Sequence, residues 1–249
     1  MTELLSEAEI VTMREAGKVA ASILEHIGTI IRPGITTKDI EYTFDERLST
    51  YNGMESAFKG FMGYPASLCV SVNDEIIHGI PSLRQLHDGD DVGVDLGIKY
   101  KGLFVDTAYT YVVGKAVAAT KKIVDTARKA LYEGIKAVKV GGRVGDIGFA
   151  VQQFVEKNGF SVIRRFVGHG IGKNLHLYPE IPNFGEIGEG PELQEGMAIA
   201  IEPMIVAGSF EVEIANDGWT ARTQDGLLSA HFEHTVAVTK KGPLILTAL

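Results

Sequence analysis

Gly89-Asp-Asp-Val-Gly-Val-Asp95 and Gly196-Met-Ala-Ile-Ala-Ile-Glu202 lie 107 positions apart and read as one pattern: a turn glycine, a strand, then a carboxylate. Leu86 recurs as Leu193 at the same offset. Gly34, Asp39 and Ile40 recur as Gly141, Asp146 and Ile147, so the helix before each strand is duplicated as well. Two copies meeting face to face bring Asp95 and Glu202 together at their seam. Carboxylates gathered that way repel unless cations lie between them. The repeat therefore predicts a metal site along with a fold.

The halves run over about 6–115 and 116–240, and neither carries a full ligand set. Residues 1–249 are therefore expected to form a single catalytic domain, and the 45% apolar content suffices for its core. The net charge of −8 argues against a nucleic-acid partner. Lys121-Lys122, Arg164-Arg165 and Lys240-Lys241 read as solvated faces. One cysteine excludes an internal disulfide and any Cys-rich zinc module. Glu3, Glu7, Glu9, Arg14, Glu15 and Lys18 interrupt any signal-peptide core, and no run approaches the roughly 20 apolar residues that span a bilayer. A cytoplasmic monomer without membrane contact is expected.

Ser6 and Glu9 form a capping box before Ile10, Met13, Ala20, Ile23, Leu24, Ile27 and Ile30 at helical spacing. Pro33-Gly34 ends that helix, and a second starts near Thr37 and has stopped by Gly53. Further helices are expected near 118–139 and 144–157. Strand patterns occupy about 67–80, 91–98, 103–113, 160–168, 196–206, 210–215 and 228–239. Each half reads as two helices followed by antiparallel strands: an α+β chain whose helices cover one face of a shared, curved sheet.

Asp95 and Asp106 sit on consecutive strands. A two-residue loop at Tyr100-Lys101 places them directly opposite one another, which is unfavourable without a positive charge between them. Their flanks, Val92, Val94, Leu96, Leu103, Phe104 and Val105, are too apolar for an exposed hairpin. Glu202 and Glu233 are the matching pair, 31 rather than 11 residues apart, with the turns Asp217-Gly218 and Asp225-Gly226 between them. Gly168-His169-Gly170-Ile171-Gly172 presents one imidazole in a loop too glycine-rich to hide it. It lacks dinucleotide-loop spacing. Four carboxylates and one imidazole form an oxygen-rich set that suits Mn²⁺, Fe²⁺ or Co²⁺ at least as well as Zn²⁺. Four negative charges balance two divalent ions, which together lower the pKa of a water and stabilise an oxyanion. For His78 and His176, spacing leaves core and functional roles both open.

The ordered set Asp95, Asp106, His169, Glu202 and Glu233, in its motifs, resembles type I methionine aminopeptidase. The matching stretches are Asn73-Asp-Glu-Ile-Ile-His78-Gly-Ile-Pro81, Val94-Asp95, Asp106-Thr, Gly168-His169-Gly-Ile-Gly172, Gly196-Met, Ile201-Glu202-Pro-Met204, Asp217-Gly-Trp219 and Ser229 through Thr235. They span nearly the whole chain. The resemblance implies the pita-bread fold of two pseudo-symmetric halves. It also implies removal of the initiator methionine from nascent or short polypeptides, at the ribosome among other places. Two divalent cations (Co, Mn, Fe or Zn) would serve, ligated by Asp95, Asp106, His169, Glu202 and a bridging Glu233. Glu202 would accept the water's proton, His176 would bind the carbonyl and oxyanion, and His78 would sit beside the scissile amide. Phe58, Phe61, Tyr64, Cys69, Leu175 and Trp219 would form the methionine pocket. The chain departs from the family pattern at Leu175, Leu177-Tyr178 and Phe58, which bears on pocket shape rather than on ligands.

Two other readings share the fold. An Xaa-Pro aminopeptidase or dipeptidase has the five ligands but usually a separate N-terminal domain, and Trp219 and the His176 context favour methionine removal. A non-catalytic pita-bread scaffold tends to lose ligands, and here all five are present.

Overall fold

The computed structural model describes residues 3–248. Helices α1 (Glu7–Ile30) and α2 (Thr37–Leu48) precede strands β1 (Met54–Ser56), β2 (Cys69–Val72), β3 (Glu75–Ile77), β4 (Asp91–Tyr100) and β5 (Leu103–Val112). Helices α3 (Ala118–Lys136) and α4 (Val144–Lys157) follow. After them come β6 (Ser161–Val162), β7 (Gly168–Gly170), β8 (Leu177–Ile181), β9 (Ala198–Ile201) and β10 (Met204–Val206). The last strands are β11 (Val212–Ile214), β12 (Ala221–Thr223), β13 (Ser229–His231), β14 (Glu233–Thr239) and β15 (Gly242–Ile245). The α+β reading holds. Pattern reading passes over β1 and β12, which span three residues each, and over β8 and β15, which Pro179 and Pro243 interrupt.

The offset of 107 recurs in the hydrogen bonds. Gly34 donates to the Leu86 carbonyl (2.8 Å) and Gly141 to that of Leu193 (2.9 Å). Thr36 donates through its backbone to Asp39 Oδ2 (2.7 Å), and Arg143 to Asp146 Oδ2 (2.9 Å), so one capping arrangement opens α2 and α4. Isolated bridges join Thr36 to Gln85 and Arg143 to Glu192.

A nine-stranded sheet carries strands of both halves, in the order β1-β4-β5-β14-β9-β7-β8, with β2 on β4 and β15 on β14. The two halves meet where β5 pairs with β14 (Glu233 with Ala108). One apolar cluster packs Met13, Ile23, Ile27, Ile40 and Phe44 beneath β4 and β5. A second packs Ile123, Leu131, Ile147 and Val151 beneath β9 and β14. Burial of these helix faces is the main favourable term holding each pair to the sheet. No described helix is long and apolar enough to cross a membrane.

Candidate metal centre and its pocket

The β4–β5 ladder corrects the expected aspartate pairing. Tyr100 pairs with Leu103, so the turn is Lys101-Gly102, and Asp95 lies opposite Ala108 while Asp106 lies opposite Gly97. Lys101 (φ 49°) and Gly102 (φ 79°) are both left-handed, as a two-residue turn matched to strand twist requires. The aspartates are diagonal rather than directly opposed. The turn moves one residue along each strand, so both side chains stay on one face.

Glu202 follows β9, and His234 of β14 pairs with Ile201, which makes the strands of Glu202 and Glu233 neighbours. His169 lies on a strand, β7, rather than in the loop expected for it. Its flanking glycines serve close packing. A Cβ at Gly168 would stand 2.3 Å from the Ala200 carbonyl oxygen, and one at Gly170 would stand 2.6 Å from that of Tyr178. A glycine-rich strand squeezed between two others is easily mistaken for a loop.

Candidate ligand atoms of Asp95, Asp106 and Glu233 lie within 4.8 Å of one another, as do those of His169, Glu202 and Glu233. A third such group joins Asp106 and His169 to His176. Glu233 belongs to both acid-rich groups. Asp95 Oδ1, Asp106 Oδ1 and Glu233 Oε1 are buried without a hydrogen-bond partner. Burial alone pushes carboxyls up, and here mutual repulsion adds to it. Asp95, Glu202 and Glu233 rise well above the carboxylate range for these reasons, and burial raises Asp106 as well. Orphaned carboxylate oxygens in two groups sharing one glutamate are a donor set that fits a pair of hard or borderline divalent cations. His169 completes it. Its Nδ1 lies 3.0 Å from the Gly170 carbonyl, which can only accept, so the proton is on Nδ1 and Nε2 offers a lone pair. Burial depresses this imidazole to about 3, which keeps it neutral.

An open cleft contains these candidate ligands and continues into an apolar pocket. Phe58, Phe61, Tyr64, Cys69, Leu175 and Trp219 line it, together with His78 and His176. Every site residue expected from the sequence thus borders one cavity. Phe58 lies where β4 carries Gly97, at which a Cβ would fall 2.6 Å from its ring. Tyr64 hydrogen-bonds the Gly79 carbonyl (3.0 Å) and meets Trp219 edge-on at 5.2 Å. Cys69 is a buried packing thiol, pushed up by burial and then by Asp95. His176 packs at a tilt against His169 (4.2 Å) and edge-on to Phe61 (5.2 Å). His78 adopts φ 60°, a conformation that is costly outside glycine, with its ring against Phe166.

Sequence reading misses Met62, an 82% exposed side chain at the mouth of the cleft. It also misses His231, buried beside Glu202. Strand alternation from Glu233 is the available signal for His231.

Buried acids meeting one imidazole across the seam of a duplicated sheet define a metal-dependent hydrolase of the pita-bread class. Residues 11–240 match Metallopeptidase family M24. A methionine aminopeptidase of Clostridium perfringens is 46% identical over the full length of both chains. "Methionine aminopeptidase 1" of Bacillus subtilis is 45% identical, with 96% of each chain covered. The crystal structure of methionine aminopeptidase from Thermotoga maritima superposes with a TM-score of 0.98 at 43% identity and full coverage of both chains. Prolidase from Pyrococcus furiosus, at 23% identity and a TM-score of 0.80, covers 99% of this chain and 65% of its own, and shares the fold. The chain belongs to metallopeptidase family M24, among its methionine aminopeptidases.

Proposed function

We propose that residues 1–249 act as a single catalytic unit, built from half-repeats of about 6–115 and 116–240. It removes the N-terminal methionine from newly made polypeptides in the cytoplasm, working as a monomer. The observation that carries this reading is the pair of ligand groups sharing Glu233 at the floor of an apolar, aromatic pocket. Asp95, Asp106, His169, Glu202 and Glu233 would hold two divalent cations (Co, Mn, Fe or Zn). Bound there, cations supply Lewis acidity and bring the pKa of water toward neutrality.

The protein's own groups do the rest. Phe58, Phe61, Tyr64, Cys69, Leu175 and Trp219 enclose the methionine thioether, which a soft, polarisable wall suits. That places the first peptide bond over Glu202, His78 and His176. Glu202 takes the proton of the attacking water and returns it to the departing amine as the C–N bond breaks. His176 donates to the carbonyl oxygen as charge develops on it. His78 contacts the scissile amide. Burial lowers His78 to about 4 and also lowers His176, so both rings are neutral at working pH and each offers one donor.

The test is a steady-state assay after metal reconstitution, comparing Met-Ala-Ser with Ala-Pro-Ala. Release of methionine from the first peptide alone is expected. Cleavage of the second would transfer the chain to the proline-directed enzymes, and cleavage of neither would leave a scaffold.

A further inference from the structure

Outside the residues already given roles, one buried polar group points at the centre without a partner. We infer that His231 is a positioning residue for Glu202: its imidazole presents an Nε2–H donor to one carboxylate oxygen while His169 faces the other. This rests on the proton-accepting role proposed for Glu202.

His231 is 3% exposed, and its Nε2 has no hydrogen-bond partner. That atom lies 3.9 Å from Glu202 Oε2, whereas His169 Nε2 lies 3.6 Å from Glu202 Oε1. The His231 backbone is fixed on both sides, donating to Thr110 Oγ1 (3.1 Å) and accepting from the same hydroxyl (2.6 Å). These bonds fix the backbone from which the ring reaches toward the carboxylate.

The two imidazoles differ in what they offer. His169 spends its proton on the Gly170 carbonyl, so its Nε2 faces Glu202 as a lone pair and suits a cation. A carboxylate oxygen needs a donor, and the unpartnered His231 Nε2 that faces it is the ring atom placed to supply one. A proton there serves Glu202 Oε2, directly after a small side-chain rotation or through one water. The two oxygens of Glu202 then become inequivalent. One faces His169 and would be free for bound cations, and the other is held from behind, as supporting partners hold ligands elsewhere.

The tautomer is directly readable. In Zn²⁺-loaded protein labelled with ¹⁵N-histidine, long-range ¹H–¹⁵N correlations should place the proton on Nε2 of His231 and on Nδ1 of His169. A proton on Nδ1 of His231 would overturn the inference. Kinetics on Met-Ala-Ser gives a second reading. His231→Met should lower kcat about tenfold to a hundredfold with KM changed less than about threefold, and His231→Gln, which keeps a donor, should recover to within about fivefold of the parent. Metal content by mass spectrometry should stay unchanged in both variants. An undiminished kcat in His231→Met, or a His231→Gln no better than it, ends the proposal. Lost metal would make His231 a ligand instead. If His231→Met fails to fold, the tautomer and the His231→Gln rate still decide. An unmodified enzyme that releases no methionine would count against the proposed function, with the tautomer still readable.

Discussion

The two halves deliver their acids by different routes. In the first, Asp95 and Asp106 stand on β4 and β5, joined by a two-residue turn, so a single ladder fixes their spacing. In the second, Glu202 lies just past β9 and Glu233 opens its neighbour β14, but the chain leaves the sheet between them to build β10 through β13. The excursion folds onto the other half, where β12 pairs with β3 through Ala221 and Ile77. That pairing puts Trp219 against Tyr64 and anchors β3, which His78 directly follows. The duplicated part thus frames the candidate metal site, while the inserted part adds Trp219 to a pocket whose other walls come from Phe58, Phe61, Tyr64, Cys69 and Leu175.

If that division is right, the largest loss comes from the frame. Glu233→Gln should lower kcat/KM by about a thousandfold or more, because the proposed shared ligand, worth several kcal/mol of charge stabilisation, is neutralised. Metal content should fall in parallel. An active enzyme with full metal content would show that Glu233 is not the joint between the halves.

Stripping the metal tests the frame as a stability element. At free metal 100 times its Kd, binding contributes about 2.7 kcal/mol, equivalent to roughly 5–10 °C in Tm for a chain of this size. The loss should grow with pH. The carboxyls of the metal-free fold have raised pKa values, so they are accommodated neutral at low pH. That stability disappears as pH climbs from the ordinary carboxylate value near 4 through their folded values. The buried histidines work the other way. His78, His231 and His234 are held at about 4, 3 and 4, so they destabilise either form as pH falls below their ordinary 6.5. Comparing loaded and stripped protein at each pH largely removes that shared contribution. Calorimetry should show a wider Tm gap at pH 8 than at pH 5. A gap that narrows with pH would mean that the acids are not apposed in the metal-free fold.

Trp219→Ala addresses the insert. Losing an aromatic wall should reduce kcat/KM for Met-Ala-Ser by about tenfold to a hundredfold, mostly through KM. Metal content should hold. Lost metal would mean that the insert also shapes the frame, and the contrast between frame and wall would fail.

The same division explains what is legible in the sequence. The frame repeats, so aligning the chain on itself is enough to expose Asp95 with Glu202 and the paired helices. The wall does not repeat. Its strands are only three residues long, and its contacts, such as β12 on β3, join positions more than a hundred residues apart. The family resemblance, rather than periodicity, brings in Phe58, Leu175 and Trp219. His231 escapes a reading that follows alternation forward from Glu233 and not backward. His169 reads as a loop residue because glycines required by tight strand packing look like glycines required by flexibility.

The aspartate register fails for a local reason, and it offers the smallest test. Lys-Gly is a weak signal for a turn whose two central residues both need positive φ, whereas Asn-Gly is a strong one. Lys101 adopts that conformation because the ladder on either side imposes it, a small strain in the native state. Lys101→Asn relieves the strain and leaves the ladder unchanged. Tm should rise by about one or two degrees, with kcat and metal content unaltered. The substitution also removes the 3.7 Å pairing with Glu15, an exposed contact that contributes little. Should kcat move instead, the spacing of Asp95 and Asp106 would depend on the turn. The first half would then be no more rigid than the second, although the second reaches the same spacing across a long excursion.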